Sequence, residues 1–484
     1  MSHELKPADV FPALRRYLLA DGLEVVLDLE RSHGSWLRDA LSGEEFLDFF
    51  TCFASWPIGY RHELLETAEF RDQILEAATH NPSNSDLYTV AMAEFVKEFG
   101  EHALPPTHRH LFLVTGGALA VENALKAAFD WKVRLNQQRK TPPVREADGS
   151  ARADVGWQVI HFKEAFHGRS GYTLSLTNTA DPRKTMYFPK FRWPRVACAK
   201  MRFPMEGENA AATLRDEEQS IREIEAAFAA HGADVAALIL EPIQCEGGDN
   251  HFRPEFLRRV RELCTKHDAM LVFDEVQTGF YGTGKPWCFQ HLGVEPDLVA
   301  FGKKTQICGF FANARIESIE RNVFVEGSRI NSTWGGNLAD MTRSKWVHRA
   351  IRRDAMAENA TAMGELLVAR LREMGLRMSG GWLGNARGRG ALVAFDCPSK
   401  ESRDALLKRC FARRLLVLAC GERSIRFRPP LNLSKPELDR GLDLLATALD
   451  DLGVRAGASV ASADQASRVR AQKDAPGSAL ECAK

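Results

Sequence analysis

From His110 onward, short runs of β-branched and aromatic residues alternate with longer segments whose apolar positions recur at helical spacing. This is the pattern of parallel strands joined by covering helices, and it predicts an α/β fold. Residues 111–114 predict a strand, Gly116-Gly117 a turn, and 121–135, rich in Ala, Lys and Leu, an amphipathic helix. A second strand over 159–162 precedes a loop carrying Phe166, His167 and Arg169. Helices over 217–231 and 254–267 lead into strands over 236–240 and 270–273, and a strand over 297–301 runs into Gly302-Lys303-Lys304. In an open sheet of this kind ligands bind outside the carboxyl ends of the strands, where all of these polar features fall.

Before residue 60 the pattern changes: 23–29, 34–40 and 45–50 predict short antiparallel strands outside the main sheet. After Asn337 a long helical stretch through Met374 gives way to a smaller mixed unit, with candidate strands in 388–396 and 415–430. The expected organisation is an N-terminal segment of a small domain (1–60), a large domain (61–337), the rest of the small domain (338–456) and a polar tail (457–484) with little to bury. Residues 137–155 are expected to form a surface insertion.

Composition narrows the class. Hydrophobic residues make up 45% and charged residues 26% of the 484, so a sizeable core can form. Lys plus Arg and Asp plus Glu are 64 each, which leaves no net field to attract nucleic acid or an anionic membrane. The N-terminus lacks the apolar run of a secretion signal, the longest aliphatic run (235–240) is too short to cross a bilayer, and the 10 cysteines form no Cys-x-x-Cys pair. Free thiols in a cytoplasmic protein are the expectation.

Two tempting motifs are set aside. Gly279 to Lys285 has the spacing of a phosphate-binding P-loop, but Pro286 stands where a hydroxyl is required for magnesium. His108 and His110 would share a strand face, yet without an acidic or thiol neighbour in the sequence they read as surface histidines; no metal site is expected. The productive signal is Asp274, at one strand end, with Lys303 at the end of the next, so that a carboxylate and an amine can face one ligand. Gly116-Gly117-Ala118 opens a helix whose N–H groups suit a phosphate, Phe166 could stack on an aromatic ring, and Ser332 and Thr333 could donate hydroxyls to the same phosphate.

With these segments in place, the chain resembles the class III (ω-amino acid) aminotransferases of fold type I, from about residue 23 to 449. The carriers are 116–132, beginning Gly-Gly-Ala-Leu-Ala-Val-Glu-Asn; 165–179, with Ala-Phe-His-Gly-Arg-Ser; 301–306, Phe-Gly-Lys-Lys-Thr-Gln; and 331–337, Asn-Ser-Thr-Trp-Gly-Gly-Asn. Within the class they are most similar to the branch that acts on the 6-amino group of L-lysine. Ornithine and 4-aminobutyrate as donors remain the alternative, and a catalytically inactive scaffold is the reading from another class.

The resemblance implies a large domain with a mostly parallel central sheet, a smaller α/β domain built from both termini, pyridoxal 5′-phosphate as cofactor, and a homodimer. It implies that Lys303 holds the cofactor covalently and moves a proton, that Asp274 pairs with the pyridine nitrogen, and that Gln277 approaches the ring hydroxyl. Phe166, or else His167, would cover a ring face, and Gly117 and Ala118 would grip the phosphate. Strand alternation would let only one of Lys303 and Lys304 reach the ring; the family spacing from Asp274 favours Lys303, leaving Lys304 a structural or surface lysine. Arg169 would bind the carboxylate remote from the reacting amine, and Arg426 the α-carboxylate of L-glutamate or 2-oxoglutarate. Glu246 would neutralise Arg426 when the donor brings no such carboxylate, while Asn331, Ser332 and Thr333 would reach the neighbouring subunit's site. Cys245 departs from the glycine usual in the family before this glutamate.

Overall fold

The computed structural model describes residues 4–146 and 148–454; the polar stretch 457–484 lies outside the described residues. The central sheet has seven strands in the spatial order His108–Val114, Cys308–Asn313, Leu298–Phe301, Met270–Asp274, Val235–Leu240, Gln158–Phe162 and Arg195–Val196. Only Cys308–Asn313 runs against its neighbours; every other adjacent pair is parallel. Successive residues of the inner strands enter different cores. Ala237, Ile239, Val272 and Ala300 pack with Ala120, Ala124 and Ala128 of the helix Gly117–Gln138 on one face. Leu238, Leu240, Phe273 and Phe301 pack with Ile224, Phe228 and Val260 of the helices Gly207–His231 and Pro254–Lys266 on the other. Burial on both faces is why these strands read as continuous apolar runs.

A second, antiparallel sheet orders Gly384–Arg389, Leu392–Asp396, Ser424–Phe427 and Leu418–Cys420. Beside it, Glu45–Asp48 pairs antiparallel with Trp36–Arg38 and parallel with Leu415–Leu416, so the two ends of the chain share one small sheet. Leu47 and Phe49 enter the same core as Phe395, Ile425 and Leu445. Gly441 on the helix Lys435–Asp450 permits this contact, because a Cβ there would stand 2.5 Å from the Phe49 ring. The helix Leu338–Arg353 places Val347, Ala350 and Ile351 in the large core instead.

Several expectations are corrected. Residues 23–29 form no strand, only an isolated bridge from Leu27 to Asp39, because Asp28 turns the chain by accepting from the N–H groups of Glu30 and Arg31. The helical stretch after Asn337 is two helices, Leu338–Arg353 and Met356–Leu376, broken where Ala355 adopts φ 48°. The helix expected from 217 starts ten residues earlier, at Gly207. The segment 137–155 carries a hairpin of Val144–Arg145 and Ala151–Arg152, tied to the body by Arg152 Nη2 donating to Asp234 at 2.8 Å. His108 is buried, donating from Nε2 to the Pro296 carbonyl at 3.0 Å, and His110 does have an acidic partner, Glu317, at 2.8 Å. Among the described residues no cluster of potential metal ligands occurs, and no helix is long and apolar enough to cross a membrane.

Candidate active site

At the carboxyl edge of the central sheet the strand ends enclose a cavity of about 520 Å³. One wall is the start of the helix Gly117–Gln138, entered through Gly116 at φ 108°, with no side-chain cap and no acidic residue in its first turn. The leading N–H groups and the dipole of a 22-residue helix are therefore left for an anion. Small residues keep this wall thin: a Cβ on Gly117 would stand 2.8 Å from Val276 Cγ1, and one on Gly168 would stand 2.6 Å from the Ala118 Cβ.

Asp274 ends its strand as a buried carboxylate facing the cavity. Its Oδ2 accepts from His167 Nδ1 at 2.8 Å and its Oδ1 from the Val276 N–H at 3.0 Å, which fixes the carboxylate plane. His167, expected as one candidate for covering a ring face, is thus engaged edge-on with Asp274, while Phe166 forms part of the wall. Glu241, just past the strand Val235–Leu240, accepts from the N–H of Phe166 at 2.9 Å and of Cys245 at 3.2 Å. One carboxylate thereby ties the Phe166 loop to the turn carrying Glu246. Burial pushes the Glu241 carboxyl up to about 7, against the pull of His167.

Lys303 is not on a strand. The strand ends at Phe301, and Lys303 opens a 3-10 turn with φ 53°, so strand alternation does not decide between the two lysines. Position does. Lys303 lines the cavity, whereas Lys304 is a buried structural lysine, not a surface one, whose Nζ donates to the Gln277 carbonyl at 2.5 Å. Gly302 is required by close packing, since a Cβ there would stand 2.9 Å from Cys308 Sγ. Burial, reinforced by Arg426 and partly opposed by Cys245 and Asp274, lowers Lys303 to about 8. Burial also lowers Lys304, to about 7.

The lining also includes Glu246 and Gln277, and Arg426 of the smaller sheet stands behind them, outside the lining itself. Arg426, buried on Ser424–Phe427, donates from Nη2 to Glu246 Oε2 at 2.5 Å and from Nη1 to Gln277 Oε1 at 3.1 Å, and among the described residues its Nε is buried without a partner. Glu246 Oε1 accepts from Lys184 Nζ at 2.5 Å. Burial would raise the Glu246 carboxyl, but Arg426 and Lys184 outweigh it and hold it below the usual range. Arg169 stands exposed outside this lining, its guanidinium carbon 5.9 Å from the Phe166 ring centre. Asn331, Ser332 and Thr333 do not line the cavity of their own chain; the Ser332 carbonyl accepts from Ser85 Oγ at 2.9 Å in a loop elsewhere.

Four residues at or beside the cavity, Glu241, Lys184, Ser55 and Gln306, are not among those the sequence pattern singles out. An acid directly after the apolar run 235–240 was a usable signal for Glu241. Nothing local marks Lys184, or the Gln306 Nε2 bond to the Ser55 carbonyl at 2.6 Å that brings the N-terminal segment to the cavity.

Comparison with known proteins agrees with this geometry. The family model for class III aminotransferases matches residues 19–449. The chain is 48% identical over 444 residues to the L-lysine-epsilon aminotransferase of Mycobacterium tuberculosis, covering 92% of this chain and 96% of that protein. It is 46% identical over 447 residues to the protein of that name from Amycolatopsis lactamdurans, with coverages of 92% and 96%. The solved lysine aminotransferase from M. tuberculosis in the internal aldimine form superposes with a TM-score of 0.86 at 46% identity, covering 92% of this chain and 99% of that one. With a helix start for an anion, a buried carboxylate and a cavity-facing lysine around one pocket, and a family match spanning residues 19–449, the chain belongs to the class III aminotransferase family.

Proposed function

We propose that the protein transfers the 6-amino group of L-lysine to 2-oxoglutarate, giving L-2-aminoadipate 6-semialdehyde, which cyclises in solution, and L-glutamate. Class III aminotransferases depend on pyridoxal 5′-phosphate. The cavity fits that group: the uncapped helix start at Gly117 and Ala118 suits its phosphate, Asp274 its pyridine nitrogen, Gln277 its ring hydroxyl, Phe166 a ring face and Lys303 its aldehyde. When bound, the cofactor supplies an electron sink for the substrate carbon that loses a proton.

The chain's residues do the rest. His167 holds Asp274 in one orientation, so the carboxylate can keep a proton on the ring nitrogen. Lys303, lowered toward neutrality by burial, can take the proton from the carbon bearing the amine and would deliver it to the cofactor carbon that carried the aldehyde. Arg169 binds the carboxylate remote from the reacting amine, and Arg426 the α-carboxylate of glutamate or 2-oxoglutarate. Lysine presents its terminal amine on a carbon with no carboxylate, which would leave Arg426 buried and unpaired, and Glu246 neutralises it there. The observation that carries the reading is the closed Arg426–Glu246 pair, whose Glu246 lines the cavity, with Arg426 Nε buried and without a partner among the described residues.

Half-reaction spectra test the donor: the holoenzyme band should be lost with L-lysine. Loss with ornithine or 4-aminobutyrate but not lysine would overturn the donor, and no visible band after adding the cofactor would favour the inactive scaffold. The remaining parts of the proposal are a homodimer, in which Asn331, Ser332 and Thr333 reach the cavity of a second copy, and a cytoplasmic location. The segments 1–60 and 338–456 are proposed to form the small domain around a large domain of 61–337, with the helix Leu338–Arg353 bridging the two.

A further inference from the structure

Glu246 borders two cavities. One is the site described above; the other, of about 810 Å³, is lined by Asp181, Lys184, Lys400, Arg403 and the turn 419–422. Lys184 stands at the partition, at the end of the 3-10 turn Pro182–Lys184. Its Nζ holds Glu246 Oε1 at 2.5 Å, lies 3.4 Å from Thr179 Oγ1 and 5.7 Å from the Phe166 ring centre, and its side chain is only 17% exposed. Glu246 thus has a cation on each oxygen: Arg426 on the substrate side and Lys184 on the side of the second cavity.

The two cations are not equivalent for the reaction proposed above, on which this inference rests. An α-carboxylate binding to Arg426 expels Glu246 by like-charge repulsion, and a carboxylate leaving one cation inside a protein needs another. Lys184 is already bonded to the oxygen that Arg426 does not hold, and the space beyond it is open. We propose that Lys184 is a positioning residue for the Glu246 switch: it keeps the carboxylate paired when Glu246 leaves Arg426, and the second cavity receives the displaced side chain. With lysine as donor Glu246 keeps both partners, so losing Lys184 matters less; with glutamate Lys184 is the partner that remains.

The test compares half-reactions of the holoenzyme with L-glutamate and with L-lysine in Lys184→Met, Lys184→Arg, Glu246→Gln and the double variant Lys184→Met/Glu246→Gln. In Lys184→Met the second-order constant for glutamate should fall about tenfold further than that for lysine, a differential of about 1.4 kcal/mol. Lys184→Arg should restore the ratio to within about threefold, because a guanidinium can hold the same carboxylate. In the Glu246→Gln background, adding Lys184→Met should move the ratio by no more than about twofold, since no carboxylate then needs a partner. Equal losses in both half-reactions, no loss in either, or an undiminished ratio change in the Glu246→Gln background would each overturn the proposal. If wild type reacts with glutamate and another ω-amine but not with lysine, the donor reading fails, and the same ratio taken with that other amine still decides the role of Lys184.

Discussion

The lowered basicity of Lys303 makes its amine reactive near neutral pH. An ordinary lysine at 10.5 has about one neutral amine in three thousand at pH 7, whereas one at about 8 has about one in eleven, a gain of ~300-fold in the form able to attack an aldehyde. The cause is local. The amine is enclosed by the cavity walls, Arg426 disfavours its charge, and Asp274 and Glu241 restore only part of it. The perturbation is pH, applied to apoenzyme freed of cofactor and mixed rapidly with excess pyridoxal 5′-phosphate, with covalent attachment followed by absorbance. Between pH 6.5 and 7.5 the rate should rise about eightfold, then level off with a midpoint near pH 8. Lys304 is lowered further, to about 7, yet should not react, because its Nζ is spent on the Gln277 carbonyl. A midpoint near pH 10, or attachment at Lys304 in the wild-type chain, would show that burial at the cavity does not select and activate Lys303.

Other residues carry further expectations. Asp274→Ala removes the carboxylate opposite the ring nitrogen and leaves His167 Nδ1 without its acceptor, so steady-state kcat should fall by about a hundredfold or more. Gly117→Val puts a branched side chain where Val276 already stands 2.8 Å from a Cβ, and cofactor titration of the apoenzyme should show a Kd raised about tenfold or more. Glu246→Ala leaves Arg426 with only Gln277, so the lysine half-reaction should slow by about a hundredfold while the glutamate half-reaction is spared. Asp249→Ala breaks the fully buried pair with Arg428, which should cost about 3–5 kcal/mol in denaturant unfolding and lower Tm. An unchanged unfolding midpoint would show that pair to be dispensable.

Much of this was legible in the sequence where local pattern and chemistry coincide. The strands 159–162, 236–240 and 270–273 lie within a residue or so of their positions in the fold, because parallel strands buried on both faces must be continuously apolar. Asp274, Lys303 and Gly117 follow from that, each at a strand end or helix start opening on the same edge. What was not legible depends on distant partners. Lys184 meets Glu246 across 62 residues and His167 meets Asp274 across 107, and no spacing rule encodes either contact. The apolar run predicts Lys303 at a strand end, but Gly302 separates it from the sheet and it opens a 3-10 turn, so its direction comes from a positive φ rather than from the pleat. Residues 23–29 carry apolar alternation and still form no strand, because Asp28 satisfies the backbone locally. The 331–333 segment depends on distant partners too, the Ser332 carbonyl meeting Ser85 Oγ across 247 residues.

The most direct measurement is borohydride reduction of the holoenzyme followed by proteolysis and mass mapping of the modified peptide. One phosphopyridoxyl group per chain is expected, on the Nζ of Lys303, with no turnover in Lys303→Ala. Modification of a different lysine, or normal turnover in that variant, would contradict that expectation.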